Sequence, residues 1–71
     1  MEEYDIVRLI VDINPVIRKG MVGTIMLKYS DEDFEVEFVK EDATNFEYGD
    51  QSTFWLKEEQ LELINKYDQY K

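Results

Sequence analysis

The sequence predicts a small, mostly-β domain, and three features of the chain carry that prediction. The chain has 71 residues, which is the length of one domain. It contains no cysteine and no histidine, so its core is expected to form from aliphatic and aromatic side chains without disulfides or the usual zinc ligands. Short segments rich in β-branched and aromatic residues alternate with segments that contain Gly, Pro, Ser and Asp, a pattern typical of short strands joined by turns.

The first predicted strand covers residues 4–12, which are rich in β-branched and apolar side chains. They favour a strand because Val and Ile are stiff at χ1 and fit a pleated surface better than a helix. Their alternation is imperfect, which leaves a short helix open as an alternative. Residues 13–20 are predicted as a wide loop, since Pro15 cannot donate to a strand ladder and Gly20 permits a tight turn.

The next two strands are predicted to form a hairpin. Residues 22–29 are predicted as the second strand, residues 30–33 as a polar turn and residues 34–39 as the third strand. The third strand has the clearest alternation in the chain, with Phe34, Val36 and Phe38 on one face and Glu35 and Glu37 on the other. The apolar set is expected in the core and the two glutamates in solvent.

The second half of the chain predicts shorter elements. Residues 40–52 are polar and fit either a long loop or a ragged edge strand. Residues 53–56 are predicted as a strand, residues 57–60 as one helical turn and residues 61–64 as the last strand. The tail, residues 65–71, is predicted to be frayed or to form a terminal helical turn.

Five short strands, one hairpin and a single short helical turn before the last strand together predict a mostly-β, five-stranded SH3-like barrel. Such a closed or nearly closed sheet lets a short chain bury one continuous core and limits its exposed edges. The alternative is a short antiparallel sheet packed by one helix. Residues 1–71 are expected to form this single domain, with the barrel at about residues 4–64 and the tail at residues 65–71.

The composition argues against catalysis and against a bound cofactor or metal. Without histidine or cysteine, neither a Ser–His nor a Cys–His nucleophile can form. The glycines at 20 and 23 lack the spacing of a phosphate-binding loop. The acids at 31–37 suggest a calcium loop, but apolar residues stand where that loop needs polar ones. We therefore expect a protein that is not an enzyme.

The charge balance predicts the kind of partner. Seventeen acidic against eight basic residues give a net charge of −9, which repels nucleic acids and anionic lipids and speeds encounter with basic proteins. The N-terminus is acidic where a signal peptide would be basic, and no apolar run approaches the roughly 20 residues of a membrane span. We expect a cytoplasmic protein with a protein partner, and neither a nucleic acid nor a membrane as its target.

The acidic residues concentrate between positions 31 and 50, where Lys40 is the one base. They are expected to gather on one surface, although a simply solvated loop is the alternative. Alternation with Phe54 and Leu56 favours an exposed Trp55, unless that ring caps an open end of the barrel. The candidate partner-binding residues are therefore these acids together with two aromatic residues: Glu35, Glu37, Glu41, Asp42, Glu47, Tyr48, Asp50 and Trp55.

Four segments of the chain resemble the small bacterial domains of unknown function grouped as DUF4926. They cover residues 4–9, 19–25, 34–38 and 56–63. The most specific parts are the Gly-Met-Val-Gly-Thr-Ile segment within the second and the Phe-Glu-Val-Glu-Phe strand that forms the third. The resemblance implies an SH3-like barrel without catalytic residues, in a setting of toxin–immunity or toxin–antitoxin loci. This chain departs from the family pattern at residues 40–53, where its acidic stretch is longer.

Two functions follow as hypotheses. The first is an immunity-type protein that binds and neutralises a cognate bacterial toxin, such as a basic nuclease, through its acidic surface. The alternative is a non-catalytic protein-binding accessory module of a larger complex, a common role of small barrels. A third role, nucleic-acid binding, is disfavoured by the net charge of −9.

Overall fold

The computed structural model describes residues 1–67 and consists of strands joined by turns. The elements are β1 (Ile6–Leu9), β2 (Val22–Lys28), β3 (Asp33–Phe38), β4 (Phe54–Lys57), a 3-10 turn (Glu58–Gln60) and β5 (Leu61–Asn65). The mostly-β class, the five strands and the single helical turn before the last strand are confirmed. The alternative of a sheet packed by a helix is wrong for the described residues, whose one helical element is that turn.

The five strands form one antiparallel sheet in the order β4-β3-β2-β1-β5. The two edge strands, β4 and β5, would lie about 19 Å apart in a flat sheet, four spacings of about 4.8 Å. The turn Glu58–Gln60 that joins them spans only about 6 Å at about 2 Å per residue. The sheet must therefore curl until its two edges converge at this turn.

The core fills the inside of the curl. As predicted, β3 sends Phe34, Val36 and Phe38 inward, and all three are fully buried. Phe38 packs against Phe54 of β4, with ring centroids 6.2 Å apart. The buried apolar set is Val7, Leu9, Ile17, Ile25, Phe34, Val36, Phe38, Phe54, Leu56 and Leu61.

A bulge in β2 determines which side chains reach the outer face of the sheet. The pairing of β2 with β3 shifts between Ile25 and Leu27, so Met26 is an extra residue in the ladder. Ile25 is fully buried, whereas Leu27 turns outward and is half exposed. Simple alternation from Ile25 would point the Leu27 side chain into the core, and the bulge turns it to the outer face instead.

The first strand is shorter than predicted at both ends. Before it, Tyr4 adopts a φ of 73°, in the left-handed region, which no strand accommodates. After it, the chain enters the loop that precedes β2, where the Asp12 carboxylate accepts the Lys19 N–H at 2.8 Å. The prediction of a strand over residues 4–12 is therefore right only for Ile6–Leu9.

The loop between β1 and β2 is anchored in the core. Ile17 lies within it and is fully buried. The Asn14 side-chain oxygen accepts the backbone N–H groups of Val16 and Ile17 at 2.9 and 2.8 Å, which folds the loop locally. The predicted wide loop is confirmed, with a core residue that its composition did not reveal.

The N-terminal turn holds the chain beyond β5. Asp5 is 2% exposed, and its carboxylate accepts the N–H groups of Glu2 and Tyr67, each at 2.8 Å. The rings of Tyr4 and Tyr67 meet edge to face at 5.4 Å. Asn65 belongs to β5 and Tyr67 is held by these contacts, so the predicted frayed tail is wrong up to Tyr67. The prediction for residues 68–71 lies outside the described residues.

Residues 40–52 form a loop, which decides between the two alternatives for this segment. Their backbone pairing is limited to isolated bridges, Val39 with Asn45 and Tyr48 with Gln51.

Among residues 1–67, no helix has the length and the apolar character needed to cross a membrane.

Candidate functional site

The outer face of β3 carries a row of three carboxylates. Because the alternate residues of this strand point into the core, Asp33, Glu35 and Glu37 all point outward. All three are half-buried. Glu35 has partners in both β2 and β4, whereas Asp33 pairs with β4 and Glu37 with β2. Their chemical surroundings differ, and this difference defines the site.

Asp33 accepts hydrogen bonds from three side chains. Its carboxylate accepts the Lys57 ammonium, the Trp55 indole N–H at 3.1 Å and the Ser30 hydroxyl at 2.7 Å. These donors hold the pKa of Asp33 below its ordinary value, with Lys57 making the largest contribution. The same ion pair raises the pKa of Lys57. Asp33 thus fixes the position of the Trp55 ring rather than offering a charge to a partner.

Glu37 lies at the other end of the row. It pairs across the sheet with Thr24 of β2. The side-chain amide of Asn45 donates to its carboxylate at 3.4 Å, a long hydrogen bond that ties the loop after β3 to the sheet. The hydrogen-bond partner of Glu37 is therefore a neutral amide.

Glu35, in the middle, lies between two exposed apolar side chains. In the register of the sheet it is opposite Leu27 on one side and Trp55 on the other. Its carboxylate accepts the Tyr29 hydroxyl at 3.2 Å, and no Lys or Arg among residues 1–67 forms a salt bridge with it. Glu35 is therefore a negative charge held in an apolar setting without a cation.

Tyr29 and Trp55 cover this carboxylate with aromatic surface. Their ring centroids are 5.6 Å apart and their planes are inclined by 53°. Trp55 is 65% exposed, as its alternation with two buried neighbours predicted. Desolvation, followed by the Glu35 carboxylate, raises the pKa of Tyr29. We call the surface formed by Leu27, Tyr29, Asp33, Glu35 and Trp55 the aromatic–acidic face.

The remaining predicted site residues lie on the loop after β3. Glu41 and Asp42 are exposed in a turn, where Asp42 accepts the Thr44 N–H at 3.1 Å and the Thr44 hydroxyl at 2.6 Å. These bonds lower the pKa of Asp42. Asp42 therefore shapes its own turn, as Asp side chains commonly do.

Glu47, Tyr48 and Asp50 belong to a second turn of this loop and are exposed. Tyr48 and Gln51 exchange backbone hydrogen bonds of 3.0 and 3.1 Å across it. No aromatic contact between Tyr48 and Trp55 occurs among the described residues. The structure thus brings together Glu35, Glu37 and Trp55 on the sheet and leaves the other predicted residues on the loop.

Sequence reasoning missed four contributors to this region: Leu27, Tyr29, Asp33 and Lys57. Leu27 is outward only because of the bulge at Met26, which leaves no pattern in the sequence. Because Asp is common in turns, the sequence places Asp33 in the hairpin turn, but in the structure it is the first residue of β3. One usable signal exists: Tyr29 precedes a polar turn, and an aromatic at a hairpin end commonly packs across the strands.

The acidic side chains of this region are not grouped as metal ligands. Among residues 1–67, no group of three or more acidic side chains is arranged to hold a metal ion. What the face presents is exposed aromatic area beside a half-buried carboxylate.

The family model of a domain of unknown function, DUF4926, matches residues 3–48. The match includes β1, β2, β3 and most of the following loop, and it ends before β4 and Trp55. No curated protein and no solved structure matches the chain. Because the matched region is more than half of its length, the chain belongs to the DUF4926 family of domains of unknown function.

Proposed function

We propose that this chain is a non-catalytic, immunity-type protein of the bacterial cytoplasm that neutralises a cognate toxin by binding a basic domain of it. The binding surface is the aromatic–acidic face. The observation that carries the proposal is Glu35, an uncompensated carboxylate between the exposed side chains of Leu27 and Trp55. We also propose that the curled sheet is an SH3-like barrel.

The exposed aromatic area supports binding to a protein. Leu27, Tyr29 and Trp55 are each at least half exposed. Tyr29 contacts Trp55, and Leu27 lies on the other side of Glu35. Trp and Tyr are enriched among the residues that dominate interface energies, because they bury a large area at a small entropy cost. Exposing three such side chains together is unfavourable in water unless a partner covers them.

The charge distribution supports a basic partner. Four of the basic side chains have acidic partners within the chain: Arg8 with Glu62, Arg18 with Asp12, Lys28 with Glu2, and Lys57 with Asp33. The net charge of −9 is therefore carried by carboxylates outside these pairs, including Glu35 and Glu37. A nuclease domain, whose substrate groove is basic, would associate rapidly with such a surface and be blocked by it.

Co-expression with the product of the adjacent reading frame tests this proposal. We expect the chain to restore growth to cells that produce that protein, and the two to form a complex measurable by calorimetry. Glu35→Lys/Glu37→Lys should weaken the complex at least about tenfold at low salt. Glu58→Lys/Glu59→Lys, an equal charge change on the 3-10 turn, is the matched control and should have a much smaller effect.

The proposal is overturned if growth is not restored, or if both charge reversals weaken the complex equally. Circular dichroism of each variant confirms that it is folded.

The alternative, an accessory module of a larger complex, is favoured by the exposure of Trp55 alone. It predicts a complex that survives neutralisation of Glu35 and Glu37 but is lost in Trp55→Ala.

A further inference from the structure

We propose that the aromatic–acidic face recognises an arginine side chain, whose guanidinium stacks on Trp55 beside Tyr29 while it pairs with the Glu35 carboxylate. This inference rests on the proposed function, because it names the chemical group through which a basic partner is bound. Three features carry it: the arrangement of the two rings, the single hydrogen bond that Glu35 accepts within the described residues, and the three donors that Asp33 already holds.

The spacing of the rings defines how a cation would sit. A planar group inserted between two rings needs about 3.5 Å on each side, or about 7 Å between them. The centroids of Tyr29 and Trp55 are 5.6 Å apart and the planes are inclined by 53°, so the rings form neither a slot nor one flat surface. A flat cation would therefore stack on the exposed face of Trp55, with Tyr29 bordering it, where the electron-rich ring face attracts it.

The carboxylate of Glu35 has capacity for such a cation. An ionised carboxylate accepts about four hydrogen bonds, and Glu35 accepts one from within the described residues, from the Tyr29 hydroxyl at 3.2 Å. Its place between Leu27 and Trp55 removes part of its water shell. A donor that forms two parallel hydrogen bonds with it replaces the lost water most completely.

Because Asp33 already has partners within the chain, Glu35 is the carboxylate available to the cation. Asp33 holds Lys57, Trp55 and Ser30, so its carboxylate is already used. Because Asp33 and Glu35 are two residues apart on the same face of β3, the occupied carboxylate lies directly beside the open one. The Asp33 bond to the indole N–H also holds the Trp55 ring in place before any ligand arrives, which lowers the entropy cost of stacking.

These features favour arginine over lysine. The guanidinium is planar, weakly hydrated and able to donate two parallel hydrogen bonds while it stacks on an aromatic face. The lysine ammonium is a strongly hydrated point charge that does neither. A carboxylate beside an aromatic surface therefore distinguishes two cations of equal charge, which the overall acidity of the chain cannot do.

Trp55 reports directly on this site, because it is the one tryptophan in the chain. Two peptides of ten residues serve as probes, one alternating Gly and Arg and the other alternating Gly and Lys, so that their charge and length are equal. We expect the arginine peptide to bind about five- to tenfold more tightly at physiological salt and to change the Trp55 emission. Calorimetry measures the same ratio in variants without the indole.

The variants test where the preference arises. Trp55→Ala and Glu35→Gln should each bring the ratio of the two affinities close to one. Glu59→Gln, which removes an equal charge from the exposed 3-10 turn, should leave the ratio unchanged. Circular dichroism establishes that each variant is folded before its ratio is interpreted.

A ratio near one in the unmodified chain overturns the inference, and so does a preference that survives in Trp55→Ala. Sedimentation that shows a dimer abolished by Trp55→Ala would overturn it too, because the occupant of the face would then be a second copy. The arginine inference can fail while the proposed function holds. In that case the chain still forms a toxin complex that Glu35→Lys weakens, but it binds the arginine and lysine peptides equally.

Discussion

Glu35 and Trp55 lie directly opposite each other on β3 and β4, so a carboxylate and an exposed indole share one position of the outer sheet face. Leu27 completes the row on the other side of Glu35. A half-buried carboxylate between apolar groups is less well hydrated than one on a loop, and a cation from outside can compensate it. This arrangement is the basis of the binding role proposed for the face.

Trp55→Ala should leave the fold nearly as stable as before. The side chain is 65% exposed, and its main contacts are with Tyr29 and Asp33, so we expect a loss of about 1 kcal/mol or less. Its neighbour Phe54, 4% exposed, provides the comparison, since Phe54→Ala should cost about 3–5 kcal/mol. Urea unfolding measures both. Equal losses would mean that Trp55 is a structural residue that caps the curled sheet.

Gly23 should be intolerant of any side chain for steric reasons. A Cβ at this position would lie 2.6 Å from the backbone oxygen of Glu37 and 2.8 Å from the Phe38 ring, so Gly23→Ala should cost about 3 kcal/mol or more. Gly49 is different, because it has a φ of 63° with open space around it. Gly49→Ala should cost only about 1 kcal/mol, and Gly49→Asn still less, since Asn enters the left-handed region more readily. Thermal unfolding that ranks Gly49→Ala as the more harmful change would refute this explanation.

Ile17 should contribute to stability like a residue of the sheet, although it lies in a loop. Its side chain is fully buried in the core, and Ile17→Ala should cost about 2–4 kcal/mol. The adjacent Val16 is exposed, so Val16→Ala should change stability by about 0.5 kcal/mol or less. Chemical denaturation of the two variants compares them. Similar values for both would show that the loop is not anchored by Ile17.

The ion pair of Asp33 should make stability depend on pH in the acid range. Lys57, with Ser30 and Trp55, holds the pKa of Asp33 below its ordinary value in the folded chain. Such a carboxylate stabilises the fold at pH values above its unfolded pKa, and this stabilisation is lost as the pH falls through the folded pKa. Asp33→Asn should therefore lower the urea midpoint at neutral pH, and its difference from the unmodified chain should shrink below about pH 4.

The matched control for this pH series is Glu47→Gln, an exposed position on the loop. It should follow the unmodified chain over the whole range. A deficit of Asp33→Asn that stays constant down to about pH 2 would contradict the assignment, because it would then arise from packing rather than from the charge.

The parts of the fold that the sequence predicts are those with a strong local pattern. The alternation of β3 places Phe34, Val36 and Phe38 in the core, and the same rule predicts the exposure of Trp55. These predictions succeed because a strand's side chains alternate with a period of two, whatever the rest of the fold does. The order of strands along the chain follows from the turns between them.

The features that the sequence does not predict depend on contacts between distant segments. The bulge at Met26 arises from the fit of β2 against β3, and it alone makes Leu27 part of the aromatic–acidic face. The burial of Ile17 depends on the loop folding back onto the sheet. The bond between Trp55 and Asp33 joins residues 22 positions apart. None of these follows from local propensity.

The acidic stretch illustrates the same division. Its residues share a charge in the sequence, but the structure gives them different surroundings. Glu35 and Glu37 project from the sheet, whereas Asp42 folds its own turn through Thr44. Charge composition therefore predicts the sign of the partner's charge. The position of the proposed binding face depends instead on the register of β2, β3 and β4.

The most direct test of the binding role is the affinity of the chain for the product of the adjacent reading frame, measured by calorimetry at physiological salt. Trp55→Ala should weaken the complex at least about thirtyfold, the effect of losing a central interface residue. Val22→Ala, which truncates an exposed side chain at the far end of β2, should leave the affinity unchanged. Equal affinities of the unmodified chain and Trp55→Ala would contradict the role assigned to the aromatic–acidic face.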